Sequence, residues 1–291
     1  MGRAFLKKAV VVILGLILSA SVVNAKQVNW PSEITYGVIP VAGAQRLQVT
    51  FGKVAAYLQK ELDIKVKLVT PTDYAGVIVG MAHKHIDVAY FGPKSYCEAA
   101  KRAGAEASVV EIDAQSGIPG YYGYIITKRG SGLKTLADIK GKKWAFTDPN
   151  STSGTLVPTV MFANKGINPQ KYFSRVVYSG SHEASILSVK NSRVDAASTN
   201  NLDFNRGLGR EWEKSDFNII WKSKLIPGSP MAVRKDLPES LKMAIKGAFI
   251  SYHDKANMKN MKIAGYAPAT DSMFNGVRKM IKFKESLNKK N

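Results

Sequence analysis

Apolar and polar positions along the chain alternate between two periods. Glu33 to Pro40 carries the alternation of a strand, and Leu47 to Leu62 places Leu47, Phe51, Val54, Ala55, Leu58 and Leu62 on one helical face. Lys65–Val69 alternates again. Thr72–His83 has helical spacing with Asp73 in its first turn. Asp87 to Pro93 reads as a strand ending in a glycine turn. A helix over Cys97–Gly104 and a strand over Ala107–Asp113 continue the rhythm. Strands alternating with helices over short connections predict an α/β fold of mostly parallel sheet covered by helices.

Gln115-Ser116-Gly117-Ile118-Pro119-Gly120 interrupts that rhythm, and a second α/β set follows. It comprises a strand over Tyr121–Thr127, a short helix over Thr135–Gly141, a strand ending at Phe146 and a helix over Gly154–Lys165. Next come a strand over Tyr172–Tyr178, a helix from Ser181 to Ser188, a strand over Asp195–Thr199, a helix over Asn201–Arg210 and a strand over Phe217–Trp221. A second break runs to Pro227-Gly228-Ser229-Pro230. Helices over Leu237–His253 and Met273–Leu287 close the chain, with a loop over Tyr266–Asp271 between them. Two α/β sets separated by two breaks predict two lobes. Residues 26–117 and 223–291 form one, and residues 118–222 the other. Ligands of open α/β sheets sit at the carboxyl ends of strands. Tyr90, Ser151 to Ser153, His182 and Asn200 to Asp203 all lie at such ends, and they come from both lobes. The expected site is a cleft between lobes that close by hinge motion.

Composition changes this picture at the N-terminus. Arg3, Lys7 and Lys8 precede the apolar run Ala9–Ser19, and Val23-Asn24-Ala25 offers small residues where a signal peptidase reads. Residues 1–25 are therefore expected to be a secretory signal peptide, and the run is short for a bilayer span. Cys97 is the only cysteine among the 291 residues, so no internal disulfide forms and no thiol stands at the mature N-terminus to carry a lipid. A free, soluble protein is expected, periplasmic in a bacterium with two membranes. The formal charge of +20 falls to +17 once Arg3, Lys7 and Lys8 leave with the leader. Its lysines are scattered, and export argues against nucleic acid. A positive field of this kind steers small anions.

The chemistry concentrates in Asp148-Pro149-Asn150-Ser151-Thr152-Ser153-Gly154, between a buried strand and a helix. A helix start exposes backbone N–H groups and a partial positive charge. One hydroxyl suffices for an N-cap. Three in a row before a glycine also suit a tetrahedral oxyanion. Hydrogen bonds to a charged partner contribute roughly 1.5–3 kcal/mol each, so four supply about 6–12 kcal/mol before ordering costs. A micromolar ligand needs about 8 kcal/mol. No buried Arg or Lys is required by that arithmetic.

Five blocks together resemble the phosphonate/phosphite family of ABC-transporter substrate-binding proteins. They are Gly37-Val38-Ile39-Pro40, Thr72-Asp73-Tyr74-Ala75-Gly76, Asp87-Val88-Ala89-Tyr90-Phe91-Gly92-Pro93, Asp148 to Gly154, and Gly180-Ser181-His182-Glu183-Ala184. They appear in family order and span nearly the whole mature chain. The resemblance implies a two-lobed class II periplasmic-binding fold, no chemistry on the ligand, no cofactor, and a membrane permease with its cytoplasmic ATPase as partners. It places Ser151, Thr152 and Ser153 on the phosphoryl oxygens, with Tyr90 and His182 completing that pocket. Tyr74 and Tyr121 line the side of the organic substituent. Where aminoalkylphosphonate binders of the family hold the ligand's ammonium with carboxylates, this chain has Asn200-Asn201-Leu202-Asp203. Asp203 is the candidate partner, and Asn201 in place of a carboxylate puts an amino substrate in doubt.

Other readings of the same residues remain. Ser151 or Ser153 with His182 and Asp203 spells a hydrolase triad, but the chain lacks the G-x-S-x-G elbow. The same fold also serves ligand sensors that report to a membrane receptor. His83 and His85 are separated by one residue on a helix end, so they face different directions and are not expected to share a metal. Cys97, His253, Tyr36 and Tyr122 read as packing or surface residues.

Overall fold

The computed structural model describes residues 29–288, and the folded body begins at Ser32. The expected signal peptide lies outside the described residues. β1 (Glu33–Val38), α1 (Ala44–Leu62), β2 (Lys65–Val69), α2 (Tyr74–Ala82), β3 (Val88–Tyr90), α3 (Pro93–Ala103) and β4 (Ala105–Asp113) follow the predicted order. The six apolar positions of α1 are its buried ones. α2 is capped by Asp73, whose carboxylate accepts the Gly76 N–H. α3 starts four residues earlier than its apolar pattern indicates. Pro93 sits in its first turn, where a missing N–H costs nothing.

The second set contains β5 (Gly120–Lys128), β6 (Lys143–Phe146), α4 (Val157–Asn164), α5 (Pro169–Tyr172), β7 (Arg175–Tyr178), α6 (His182–Lys190), β8 (Ala196–Asn200), α7 (Asn201–Gly207) and β9 (Phe217–Pro227). The chain then returns through β10 (Pro230–Arg234), α8 (Glu239–Ile250), α9 (Lys255–Met261), β11 (Ile263–Pro268) and α10 (Asn275–Asn288). Two sheets result, ordered β11-β4-β10-β3-β1-β2 and β7-β6-β8-β5-β9. This is the two-lobed α/β architecture, one lobe on each sheet.

Both sheets are mixed rather than mostly parallel. β10 runs antiparallel to β3 and β4, and β5 runs antiparallel to β8 and β9. β5 and β10 each follow a passage between lobes, and β11 adds a further antiparallel strand on β4. The passages are Asp113 to Gly120 and Pro227 to Pro230, and they lie side by side, with the Gly228 N–H donating to Pro119 O. Residues 223–227, expected in the first lobe, pair within the second sheet as the end of β9, from Tyr122↔Leu225 to Gly120↔Pro227.

Three local expectations fail for identifiable reasons. Thr135–Gly141 forms successive turns rather than a helix. Asp138 gathers the Lys134 and Thr135 N–H groups, and Gly141 at φ +71° hands its own N–H to Tyr172 O. Residues 169–172 close a helical turn after Asn168, which caps Gln170 N, so the strand begins only at Arg175. Tyr266–Pro268, expected in a loop, belongs to β11 on the edge of the first sheet. Gly265 and Pro268 hide that strand from its alternation.

The second lobe's core is aromatic. Trp144 stacks on Phe173 at 4.9 Å and meets Phe146 and Phe162 edge-on. This core holds β6 and α4 in place, and the loop between them carries the hydroxyl run.

Candidate functional site

The strand-to-helix passage after β6 departs from an ordinary N-cap. Ser151 does cap, accepting the Gly154 N–H at 3.0 Å. The next turn, Thr152–Leu156, is π-helical, with the Leu156 and Val157 N–H groups reaching Ser151 O and Thr152 O. Pro158 explains the widening, because it lacks the N–H that would otherwise bond Gly154 O. That carbonyl instead accepts from Thr147 N–H and from Ser198 Oγ at 2.5 Å. A Cβ on Gly154 would overlap Thr147 Oγ1 and Cβ, so glycine is required by close packing. The wide turn buries Ser151, Thr152 and Ser153 together at the mouth of the helix, a placement for which π-turns are often used.

These hydroxyls open on a small cavity between the lobes. Ile39, Tyr74, Tyr90 and Ser229 line it from the first lobe, and Tyr121, Ser151, Thr152, His182, Asn200, Leu202 and Asp203 from the second. The cavity is small, with room for about one water. The lobes touch directly around it. The Lys94 N–H in the first turn of α3 donates to Thr152 Oγ1 at 2.8 Å, and Lys94 Nζ donates to Asn150 Oδ1 at 2.9 Å. Burial pushes the Lys94 ammonium down to about 8. At the rim, Arg46 pairs with Glu183 (3.5 Å) and Glu211 (2.6 Å).

Several donors in the cavity have capacity left. The Tyr74 hydroxyl is buried and has no hydrogen-bond partner. Ser151 and Thr152 each accept a backbone N–H and keep their own O–H to give. The Tyr121 hydroxyl interacts with the hydroxyls of Thr152 and Ser153. His182, at the first position of α6, has Nδ1 within 3.3 Å of Thr199 Oγ1 and 3.4 Å of Thr147 Oγ1. A neutral imidazole donates from one ring nitrogen and accepts at the other. Nε2 lies 3.3 Å from Ser151 Oγ and 3.9 Å from Asp203 Oδ2. Burial lowers the His182 pKa below its ordinary value, against the pull of Asp203, so the ring is neutral.

A second polar cluster adjoins this one and closes on itself. Arg206, near the end of α7, gives Nη2 to both oxygens of Glu111 (2.9 and 3.1 Å), Nη1 to Asp203 Oδ1 (3.0 Å) and Nε to Met261 O (2.8 Å). Tyr90 donates to Glu111 Oε2 at 3.1 Å, and Asn200 Nδ2 donates to Asp203 Oδ2 at 2.7 Å. Burial opposes charge on Arg206, but Glu111, Tyr90 and Asp203 raise its pKa well above the ordinary value. Glu111 belongs to β4 and Arg206 to α7, so the cluster ties the lobes together.

Of the residues singled out in the sequence, Tyr74, Tyr90, Tyr121, Ser151, Thr152, His182 and Asp203 line the cavity. Ser153 sits just behind the lining, 3.4 Å from Asn200 Nδ2. Asn201 is engaged elsewhere: its Oδ1 accepts the Tyr122 N–H at 2.7 Å and so anchors β5. The neighbouring Asn200 takes the place in the lining. Arg206, Glu111 and Ser229 were not foreseen; they belong to the lining or to the cluster behind it.

Residues 36–274 match the family described as ABC transporter, phosphonate, periplasmic substrate-binding protein. The chain belongs to that family. The phosphonates-binding periplasmic protein of Escherichia coli is 34% identical over 87% of this chain and 77% of its own length. The phosphate-import protein PhnD of Mycolicibacterium smegmatis is 28% identical over 86% of this chain and 85% of its own. Among solved structures, a binding-protein component of an ABC phosphonate transporter from Pseudomonas aeruginosa superposes with a TM-score of 0.82 at 31% identity, covering 87% of this chain and 86% of that one. The family is one of periplasmic binding proteins, not enzymes, and this removes the hydrolase reading of Ser151, His182 and Asp203. Phosphonate and phosphate both appear among its members' names, so the family leaves the fourth group on phosphorus open.

Proposed function

We propose that the exported chain, residues 26–291, binds a phosphorus oxyanion in the cleft and hands it as a closed complex to a permease driven by a cytoplasmic ATPase. Ser151, Thr152, Tyr74 and the Nε2–H of His182 donate to the three oxygens, with Tyr121 and Ser153 holding the hydroxyls in position. The observation that carries this reading is the buried Tyr74 hydroxyl, which has no hydrogen-bond partner and faces the same cavity as Ser151, Thr152 and His182. Donors without an acceptor cost stability when buried, and an oxyanion supplies what they lack. Bonds from neutral groups also permit release.

The lobes hinge at the paired passages Asp113–Gly120 and Pro227–Pro230. The signal peptide is cleaved after Ala25, and the product is an unlipidated monomer that meets the permease with its rim. Calorimetric titration of the exported chain with phosphate, phosphite and methylphosphonate tests the reading. One-to-one binding of at least one of them at micromolar or tighter affinity is expected. No heat from any of the three contradicts it.

A further inference from the structure

The fourth substituent on phosphorus is hydrogen in phosphite, oxygen in phosphate and carbon in a phosphonate. Aminoalkyl groups end in an ammonium, which is tolerated in a buried pocket only beside a carboxylate able to accept from it. Asp203 is the single acidic side chain lining the cavity. One of its oxygens is held by Arg206 at 3.0 Å and the other by Asn200 at 2.7 Å. Glu111 stands one layer further back, with both oxygens on the Arg206 fork and Tyr90 on one of them. An incoming ammonium would add a second cation beside Arg206. Ile39, Val41 and Leu202 give the cavity an apolar stretch of wall, which offers no hydrogen bond to a fourth oxygen, beside the neutral side chains of Ser229 and Asn200.

Resting on the proposed function, we infer that this chain selects a phosphorus oxyanion whose fourth substituent is small and apolar, hydrogen or methyl. Arg206 and Leu202 set that selectivity. Arg206 withholds both carboxylates from the ligand, and Leu202 occupies wall where a carboxylate would be needed. Phosphate is disfavoured only moderately, because an apolar wall rejects an added hydroxyl weakly, by roughly a hundredfold at most. An aminoalkyl chain is rejected more strongly, by its bulk and by its charge.

The test is a calorimetric ladder on the exported protein with phosphite, methylphosphonate, phosphate and 2-aminoethylphosphonate. Phosphite or methylphosphonate binds at least a hundredfold more tightly than 2-aminoethylphosphonate, with phosphate between. Leu202→Glu and, independently, Ser229→Asp place a carboxylate in the lining. In whichever variant keeps the wild-type circular dichroism, the gap to 2-aminoethylphosphonate narrows at least tenfold. Wild-type binding of 2-aminoethylphosphonate within tenfold of methylphosphonate overturns the inference while leaving the oxyanion site intact. An unchanged gap in a folded variant also overturns it. No binding of any of the four removes the oxyanion reading and this inference together.

Discussion

Two polar clusters share the cleft, and they differ in how much of their hydrogen-bonding capacity is already used. Around Arg206 the donors and acceptors match: one guanidinium, two carboxylates, a tyrosine hydroxyl, an asparagine amide and a carbonyl satisfy one another. Around Ser151 the matching is incomplete, because the buried Tyr74 hydroxyl has no partner. A saturated cluster gives structure and excludes further charge. An undersaturated one between two lobes suits a ligand's oxygens. On the proposed reading the neutral hydroxyls, rather than the charged residues, meet the ligand's oxygens.

Breaking the saturated side has the largest effect. Arg206→Met leaves Glu111 and Asp203 buried without their cation and is expected to lower stability by about 3–5 kcal/mol, the usual cost of removing one partner of a buried pair. Urea denaturation measures this. A change under 1 kcal/mol would mean that the cluster is not a closed unit.

Gly154→Ala comes next. Its methyl group displaces Thr147 and reshapes the π-turn, costing about 1–3 kcal/mol of stability and most of the ligand affinity. Stability and affinity both at wild-type level would show that the turn can close without that contact.

Thr152→Ala acts on the undersaturated side. It removes a donor to the anion, worth roughly 1.5–3 kcal/mol of binding, and the acceptor of the Lys94 N–H across the cleft. Calorimetry with the preferred ligand should show a loss of tenfold or more.

The pH response sharpens the comparison further. His182 has a lowered pKa in the folded protein, so the folded state binds fewer protons than the unfolded chain below the ordinary value of about 6.5. Its contribution to stability is present above that pH and lost as pH falls through this window. Asp203 and Arg206 are the charges that act on it. Glu111 and Asp148, whose pKa values are raised by burial, contribute with opposite sign at acid pH. The diagnostic quantity is thus the stability difference between wild type and His182→Gln. It should shift against wild type from pH 7.5 to pH 5, and parallel curves would refute a neutral buried ring.

The undersaturated cluster was more legible in the sequence than the saturated one, for physical reasons. Ser151-Thr152-Ser153-Gly154 is contiguous, and three hydroxyls exceed what one cap needs. Tyr74 and His182 each follow a capping residue, Asp73 and Ser181. The cluster around Arg206 instead joins residues 90, 111, 203, 206 and 261, which only the tertiary fold brings together. It left two faint signals. Glu111 interrupts the apolar run Val109-Val110-Glu111-Ile112, and Asp203 and Arg206 stand at i, i+3 on one short helix. The π-turn left a signal as well: Pro158, six residues after Thr152, forbids a regular first turn. At the level of fold, periodicity found α1 and the strand–helix rhythm. It missed β11, whose place depends on pairing with β4 rather than on its own pattern, and it ended β9 six residues early.

The account stands most directly on one side chain. Tyr74→Phe removes a buried hydroxyl that has no partner within the protein and changes nothing else. Thermal unfolding and calorimetry of this variant beside wild type separate a structural hydroxyl from a ligand donor. The melting temperature should be unchanged or slightly raised, while affinity for the preferred phosphorus oxyanion falls tenfold or more, about 1.5–3 kcal/mol. Affinity equal to wild type, or a lowered melting temperature with affinity unmoved, would contradict the claim that the free donors of this cluster are the binding site.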